Sequence, residues 1–180
     1  AAFRTDIDNY QAQVTNGALG VIRGYLANAE KVRSQGLEAD LAVRPSERFN
    51  AYLNAAITDA KYRQFTTAPC PPELSGGTTV GAGQTAGAAG VAGGLSPASC
   101  DVSGQRLPGI SHTSLSWGGE ANLPARLLGK DGQAYVGYDG SYRSSWSSNP
   151  SPSAYTWVGG YALHNFRAGI RNDGGLDIYG

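Results

Sequence analysis

Between Phe49 and Thr58 every odd position is apolar (Phe49, Ala51, Leu53, Ala55, Ile57), while the even positions are mostly polar. Successive side chains of an extended chain point to opposite faces, so this segment reads as a strand whose two faces meet different solvents. The alternation returns at 36–43, 113–123, 133–142 and 162–170, each about the length that a tilted strand needs to cross a bilayer. With a first strand over 2–14, irregular at Asp8-Asn9, and a last one at 176–179, the pattern predicts seven strands. The fold class is all-β, an antiparallel transmembrane β-barrel segment.

The connections sharpen this reading. Those at 15–30, 63–111 and 144–160 are long, whereas 44–48 and 172–175 are short and 124–132 is of medium length. Long connections at one end and brief ones at the other match the long extracellular loops and short periplasmic turns of outer-membrane barrels. The 63–111 connection is expected to be a long extracellular loop, with a centre at 76–94 composed largely of Gly, Ala and Thr that buries little.

In a barrel of this kind the apolar face meets lipid and the polar face a wet lumen or a plug. Leu37, Ala39, Leu41 and Val43 then face outward, as do Leu115, Trp117, Ala121 and Leu123. The charged residues of the strand centres, Glu38, Asp40, Glu120, Asp139 and Arg167, fall on the opposite, lumen-facing set. Outward rings at Trp117, Tyr138, Tyr142 and Phe166 suit the interfacial belts of a membrane, where an amphipathic ring is favoured. The alternative is that these rings fill the core of a soluble protein.

Composition excludes several classes. Hydrophobic residues make up 41% of the 180 residues and charged ones 16%, which is not the signature of a disordered chain. Lys plus Arg and Asp plus Glu number 14 each, without a basic block, so charge directs the chain to no nucleic acid. No apolar run approaches the roughly 18 residues of a membrane helix, and the amino-terminal residues lack the zones of a signal peptide. Without an initiating Met, and ending within an alternating segment, the sequence is expected to be a piece of a longer protein.

Cys70 and Cys100 flank the least patterned part of the chain, away from any His or acidic cluster. A disulfide between them is expected, which implies an oxidising compartment; two unpaired thiols in a loop are the alternative. His112 and His164 are isolated, so no metal site is expected. No Gly-x-Ser-x-Gly elbow is present, and the Gly-rich run lacks the Gly-Lys-Ser/Thr ending of a phosphate loop. No catalytic residue, cofactor or enzymatic activity is expected. The candidates for ligand contact are Arg143, Trp146, Tyr155 and Trp157, which offer a cation and stacking faces in one polar loop. Those rings could equally pack the loop onto its neighbours or rest at the outer lipid boundary.

The segment Asn28-Ala29-Glu30 through Ser34-Gln35-Gly36-Leu37-Glu38-Ala39-Asp40-Leu41 resembles a strand of the barrels of TonB-dependent receptors. Pro45 in the short turn, the strand ending Thr58-Asp59-Ala60-Lys61-Tyr62 and the Ser103–Gly109 lead-in follow in the order that family shows, and the strands at 135–143 and 176–179 resemble strands close to its C-terminal end. The resemblance covers the chain apart from the Gly/Ala loop. It implies a barrel of about 22 strands closed by a plug, of which residues 1–180 would be a partial wall without plug, energy-coupling box or last strand. It further implies a Gram-negative outer-membrane location, contact with outer-membrane lipid, coupling to the inner-membrane protein TonB, and uptake of a ferric siderophore or another scarce nutrient. A different class, a soluble secreted β-sandwich or lectin-like carbohydrate-binding module, has its apolar faces packed on one another instead.

Overall fold

The computed structural model describes residues 1–16, 23–70, 99–150 and 153–180. Its strands are β1 (Ala2–Asn16), β2 (Arg23–Ser46), β3 (Phe49–Gln64), β4 (Thr113–Leu127), β5 (Lys130–Arg143), β6 (Trp146–Ser147), β7 (Trp157–Val158), β8 (Tyr161–Asn172) and β9 (Asp177–Tyr179). Seven of them form one sheet in the order β1-β2-β3-β4-β5-β8-β9, every pair antiparallel, and β6 and β7 form a small separate ladder. The sheet is a meander in which each strand lies beside its predecessor, apart from the β6–β7 excursion.

The register carries the alternation across the sheet. Leu41 faces Leu53, which faces Trp117, which faces Gly140, which faces His164. In the next rows Val43 aligns with Ala51, Gly119, Tyr138 and Phe166, and Leu37 with Ile57 and Thr113. Directly opposed residues of an antiparallel pair share a face, so the apolar sets of five strands merge into one surface. Leu37, Leu41, Leu53, Ile57, Leu123, Val136 and Phe166 remain exposed on it. A sandwich would cover this face with a second sheet, and among the described residues the only other sheet is the two-residue ladder of β6 and β7.

Two connections are shorter than the hydrophobic pattern predicts. The stretch 15–30, expected to be a loop, is strand up to Asn16 and again from Arg23; residues 17–22 lie outside the described set. Likewise 124–132 contains only a two-residue turn, because β4 runs to Leu127 and β5 begins at Lys130. Leu128 and Gly129 adopt φ of 53° and 78°, the left-handed pair that a tight hairpin requires, and glycine takes that conformation without strain. In both stretches pairing continues where alternation has ceased. In 23–32 the buried Ala29 and Val32 fall on opposite parities across the irregularity at Lys31, so period two is broken in the sequence although the ladder persists.

The core lies at the end with the long connections. Ala12 and Val14 of β1, Ala29 and Val32 of β2, and Ala60 and Tyr62 of β3 bury themselves with Phe65, Ala68, Val102 and Leu107 from the two stems of the β3–β4 connection. Tyr62 and Phe65 stand 5.1 Å apart, ring to ring. Asn9, with φ 53°, and a register irregularity between Lys31 and Val32 sit at the level where this cluster begins. The stems are themselves pinned by backbone bonds: Val102 N–H to Phe65 O at 2.9 Å, Gly104 N–H to Tyr62 O at 2.7 Å and Leu107 N–H to Ala60 O at 3.0 Å. Cys70 and Cys100 are joined by a disulfide, their Cα atoms 5.0 Å apart. The Gly/Ala-rich centre, 76–94, falls outside the described residues.

Beside the disulfide, Ser103 caps Asp101: its backbone N–H donates to Oδ1 at 2.9 Å, and hydrogen bonding from Ser103 holds the carboxyl below its usual range. A depressed carboxyl stabilises the turn above the ordinary carboxylate range and less so as pH falls through it.

Phe65→Ala should empty the centre of the stem cluster at a cost of about 3 to 5 kcal/mol. Limited proteolysis should then cut the 65–107 region at protease levels that leave the parent sequence intact; equal resistance would show that the stems do not depend on this ring.

Candidate functional site

The polar face is a continuous lining that crosses strand after strand. Glu38 and Asp40 of β2 lie on it, in line with Ala56 and Asn54 of β3 and Ser114 and Ser116 of β4. Asn54 donates to Ser116 at 3.2 Å. These residues, with Arg143 at the end of β5, border a depression of about 440 Å³. Neither Glu38 nor Asp40 has an ion-pair partner among the described residues.

Further along the same face a charge network ties five strands together. Arg167 of β8 pairs with Asp139 of β5 and, at 3.4 Å, with Glu120 of β4. Tyr52 of β3 donates its hydroxyl to Asp139 at 3.2 Å. Arg171 approaches Glu120 at 3.7 Å and lies 4.3 Å from the centre of the Tyr135 ring, whose hydroxyl reaches Asp177 of β9 at 3.4 Å. Asn122 donates to Glu120 at 3.2 Å. Small residues make room for these groups: a Cβ on Gly137 would lie 2.6 Å from Nε of Arg167, and one on Gly118 would meet Asp139 and lie 2.7 Å from the Tyr52 ring. The arrangement holds charges in fixed pairs along the polar face; among the described residues no cluster could hold a metal.

The apolar face ends at a belt of charge. By the register Arg4, Gln35 and Asp59 share one row, and Asp6, Arg33 and Lys61 the next, on the same face as Leu37 and Ile57. They are paired as Arg33–Asp6 at 2.6 Å, Arg4–Asp6 at 3.2 Å and Lys61–Asp59 at 2.9 Å. Arg126 and Asp131 pair at 2.6 Å beside the Leu128-Gly129 turn, on the parity of Glu120 and Asp139 and therefore on the polar face. Short of the belt of charge, on the apolar face, lie Trp117, Tyr138, His164 and Phe166: Tyr138 and His164 share a hydrogen bond of 2.7 Å, Phe166 lies tilted against Tyr138 at 4.8 Å and Trp117 meets His164 edge-on at 5.9 Å. An apolar band that ends in charge toward the long connections, crossed by a ladder that satisfies its own backbone groups, is what a bilayer admits in β form.

A family model for TonB-dependent receptor-like β-barrels matches residues 1–180. The chain belongs to the TonB-dependent receptor β-barrel family. Neither the curated proteins nor the solved structures returned a match to the chain. The family consists of outer-membrane proteins of Gram-negative bacteria, and they are receptors and transporters, not enzymes.

The loop candidates are only partly brought together. The Arg143 guanidinium stands 5.7 Å from the Trp146 ring centre and donates to Gly109 O at 3.2 Å. Trp157 pairs with Ser147 across the β6–β7 ladder, while Tyr155, in the 3-10 turn Ala154–Thr156, is 88% exposed. No ring contact among the described residues joins Tyr155 or Trp157 to Arg143. Trp146 keeps its indole N–H buried without a hydrogen-bond partner among the described residues. Tyr52, Tyr135, Arg171 and Asp177 belong to the network as much as the residues singled out by charge. Each sits on the polar parity, so the signal existed, but choosing partners required the register.

Arg167→Ala should leave Asp139 and Glu120 facing one another, at a cost on the order of 1 kcal/mol because the pairs are half exposed to water. Gly137→Val should cost more, about 1 to 3 kcal/mol, by overpacking against Arg167. Urea unfolding of the refolded complete receptor would rank them; a Gly137→Val protein as stable as the parent would contradict the close approach.

Proposed function

We propose that this chain forms part of the wall of a TonB-dependent outer-membrane receptor for a scarce ligand, with a ferric siderophore as the first candidate. The observation that carries the reading is the division of the sheet by a single parity: an apolar face uncovered among the described residues and ending in ion pairs toward the long connections, and a polar face lined with charge. On this reading Leu37–Val43 and its neighbours meet lipid, Glu38, Asp40, Glu120, Asp139 and Arg167 line the lumen, and the two-residue turns are periplasmic. Residues 63–111 form an extracellular loop tied at its base by Cys70 and Cys100.

The siderophore assignment is supported by the chemistry of the loop at 143–157. An anionic chelate bearing aromatic donor rings would find a stacking face in the exposed Tyr155 and a cation in Arg143. Coupling to TonB would run through the rest of the receptor. The charge-lined lumen wall offers hydrogen-bonding partners to whatever fills the barrel, and the uncompensated carboxylates Glu38 and Asp40 favour a cationic group opposite them.

The complete receptor should fractionate with outer membranes, migrate in a heat-modifiable manner and restore ferric-siderophore uptake to a strain lacking it under iron limitation. A soluble product would overturn the lipid-facing assignment, and uptake of a different nutrient would replace the ligand. Replacing Trp146 and Trp157 by alanine should weaken capture of the ligand severalfold without affecting assembly; undiminished capture would remove the loop from the site.

A further inference from the structure

Where the apolar face ends toward the long connections, its charges do not balance. The rows across β1, β2 and β3 hold Arg4, Gln35 and Asp59, then Asp6, Arg33 and Lys61, then Asp8, Lys31 and Gln64. The middle row continues onto the returning stem of the β3–β4 connection, because Arg106 faces Lys61 across an isolated antiparallel bridge. Its neighbour Leu107 is buried with Ala60 and Tyr62, so Arg106 points the other way, with Lys61. Arg33, Lys61 and Arg106 therefore stand side by side on neighbouring segments. Asp6 is shared by Arg33 at 2.6 Å and Arg4 at 3.2 Å, Asp59 takes Lys61 at 2.9 Å and Asp8 takes Lys31 at 3.7 Å. Arg106 forms no ion pair among the described residues.

We propose that this row binds a phosphate of lipid A, the phosphorylated glycolipid of the outer leaflet. The inference rests on the reading of the chain as outer-membrane wall with its long connections outside. Like charges directly opposite one another destabilise a ladder, and Lys61 against Arg106 is such a pair, with Arg33 on its other side. An anion seated over them turns that repulsion into attraction. The donors for it remain available: Arg33 gives its Nε to Asp6, and Lys61 needs only one hydrogen of its ammonium for Asp59. The guanidinium ends of Arg33 and Arg106 then offer the bidentate contacts that phosphate oxygens accept.

Depth and side select the source. Leu37, Ile57 and Thr113 form the last row of the apolar band, and Leu37 and Ile57 remain exposed on it. The Lys61 row lies two rows further on. At about 6.6 Å per pair of residues and a strand tilt of about 45°, that is roughly 10 Å along the membrane normal, in the headgroup zone. The row adjoins the stems of the long connection, where Leu107 N–H donates to Ala60 O at 3.0 Å, at the end opposite the short turns. On the proposed topology this is the leaflet of lipid A. A phosphomonoester there carries about two negative charges, against the single charge of a phospholipid diester, and basic clusters beside a bilayer recognise such headgroups. Its acyl chains would lie below, against Leu37 and Ile57.

The test is titration of the complete receptor, refolded in detergent, with diphosphoryl lipid A, read by native mass spectrometry. A chelator is present throughout, so that no divalent cation bridges phosphate to carboxylate. Arg106→Gln and Lys61→Gln should each weaken binding about five- to tenfold, a range expected for the loss of one charge-assisted contact. Arg48→Gln, which removes a charge from the polar face near the short turn, should leave binding unchanged. Without lipid the sign reverses: Arg106→Gln relieves the repulsion and should melt no lower than the parent, whereas a merely structural role for Arg106 predicts a lower melting temperature and would overturn the site. Undiminished binding in both Arg106→Gln and Lys61→Gln, by barrels whose migration is heat-modifiable, also overturns it and leaves the membrane wall standing. Equal affinity of the parent for phosphatidylglycerol and lipid A overturns lipid A as the occupant. A parent protein that stays soluble without detergent overturns the site and the wall together.

Discussion

Everything in this structure depends on the parity of a hydrogen-bonded ladder. Side chains alternate with period two, so a slip of one residue between any two strands would carry a whole apolar set to the other face. From β2 to β8 the rows hold: Val43, Ala51, Gly119, Tyr138 and Phe166 lie across one another without a change of side. The register shifts at Lys31/Val32 and at Val43/Ser46 fall at the two ends of the apolar band. Irregularity is tolerated where both faces meet polar surroundings or protein, and is absent where a displaced side chain would be in the wrong solvent.

The same parity distributes charge. On the polar face Arg167 and Arg171 reach across two strands to Glu120, and Asp139 gathers Tyr52 and Arg167. Long cationic side chains can span neighbouring strands only where the positions between them are small, which gives Gly118 and Gly137 a spatial task. On the apolar face paired charge gathers in the rows of Arg4, Asp6, Asp8, Lys31, Arg33, Asp59 and Lys61. The two faces therefore use ion pairs differently: one to line a wall along its length, the other to mark where the apolar band stops.

Beyond that limit the sheet ceases to divide two solvents and becomes the footing of a loop. β1 to β3 extend past the charge belt, and their inward residues pack against Phe65, Ala68, Val102 and Leu107. The disulfide closes the same footing. The two stems of the long connection thus form a compact base.

The wall itself was legible in the sequence. Alternation at 36–43, 49–58, 113–123, 133–142 and 162–170 survives because each strand there has one apolar and one polar face, and two solvents write a period of two. Where an irregularity puts buried residues on both parities, as at Ala29 and Val32, the signal fades although the backbone still pairs, which is why the strand at 23–35 was hidden; the tight Leu128-Gly129 turn appears only in the register. The side of the wall to which Glu120, Asp139 and Arg167 belong followed from odd and even positions alone. That they meet one another, that Tyr52 and Arg171 join them, and that Arg143 rests against Trp146 while Tyr155 stands in the open were decided only by tertiary structure. The physical reason is that face is a local property of a strand, whereas partnership depends on the register between strands far apart in the chain.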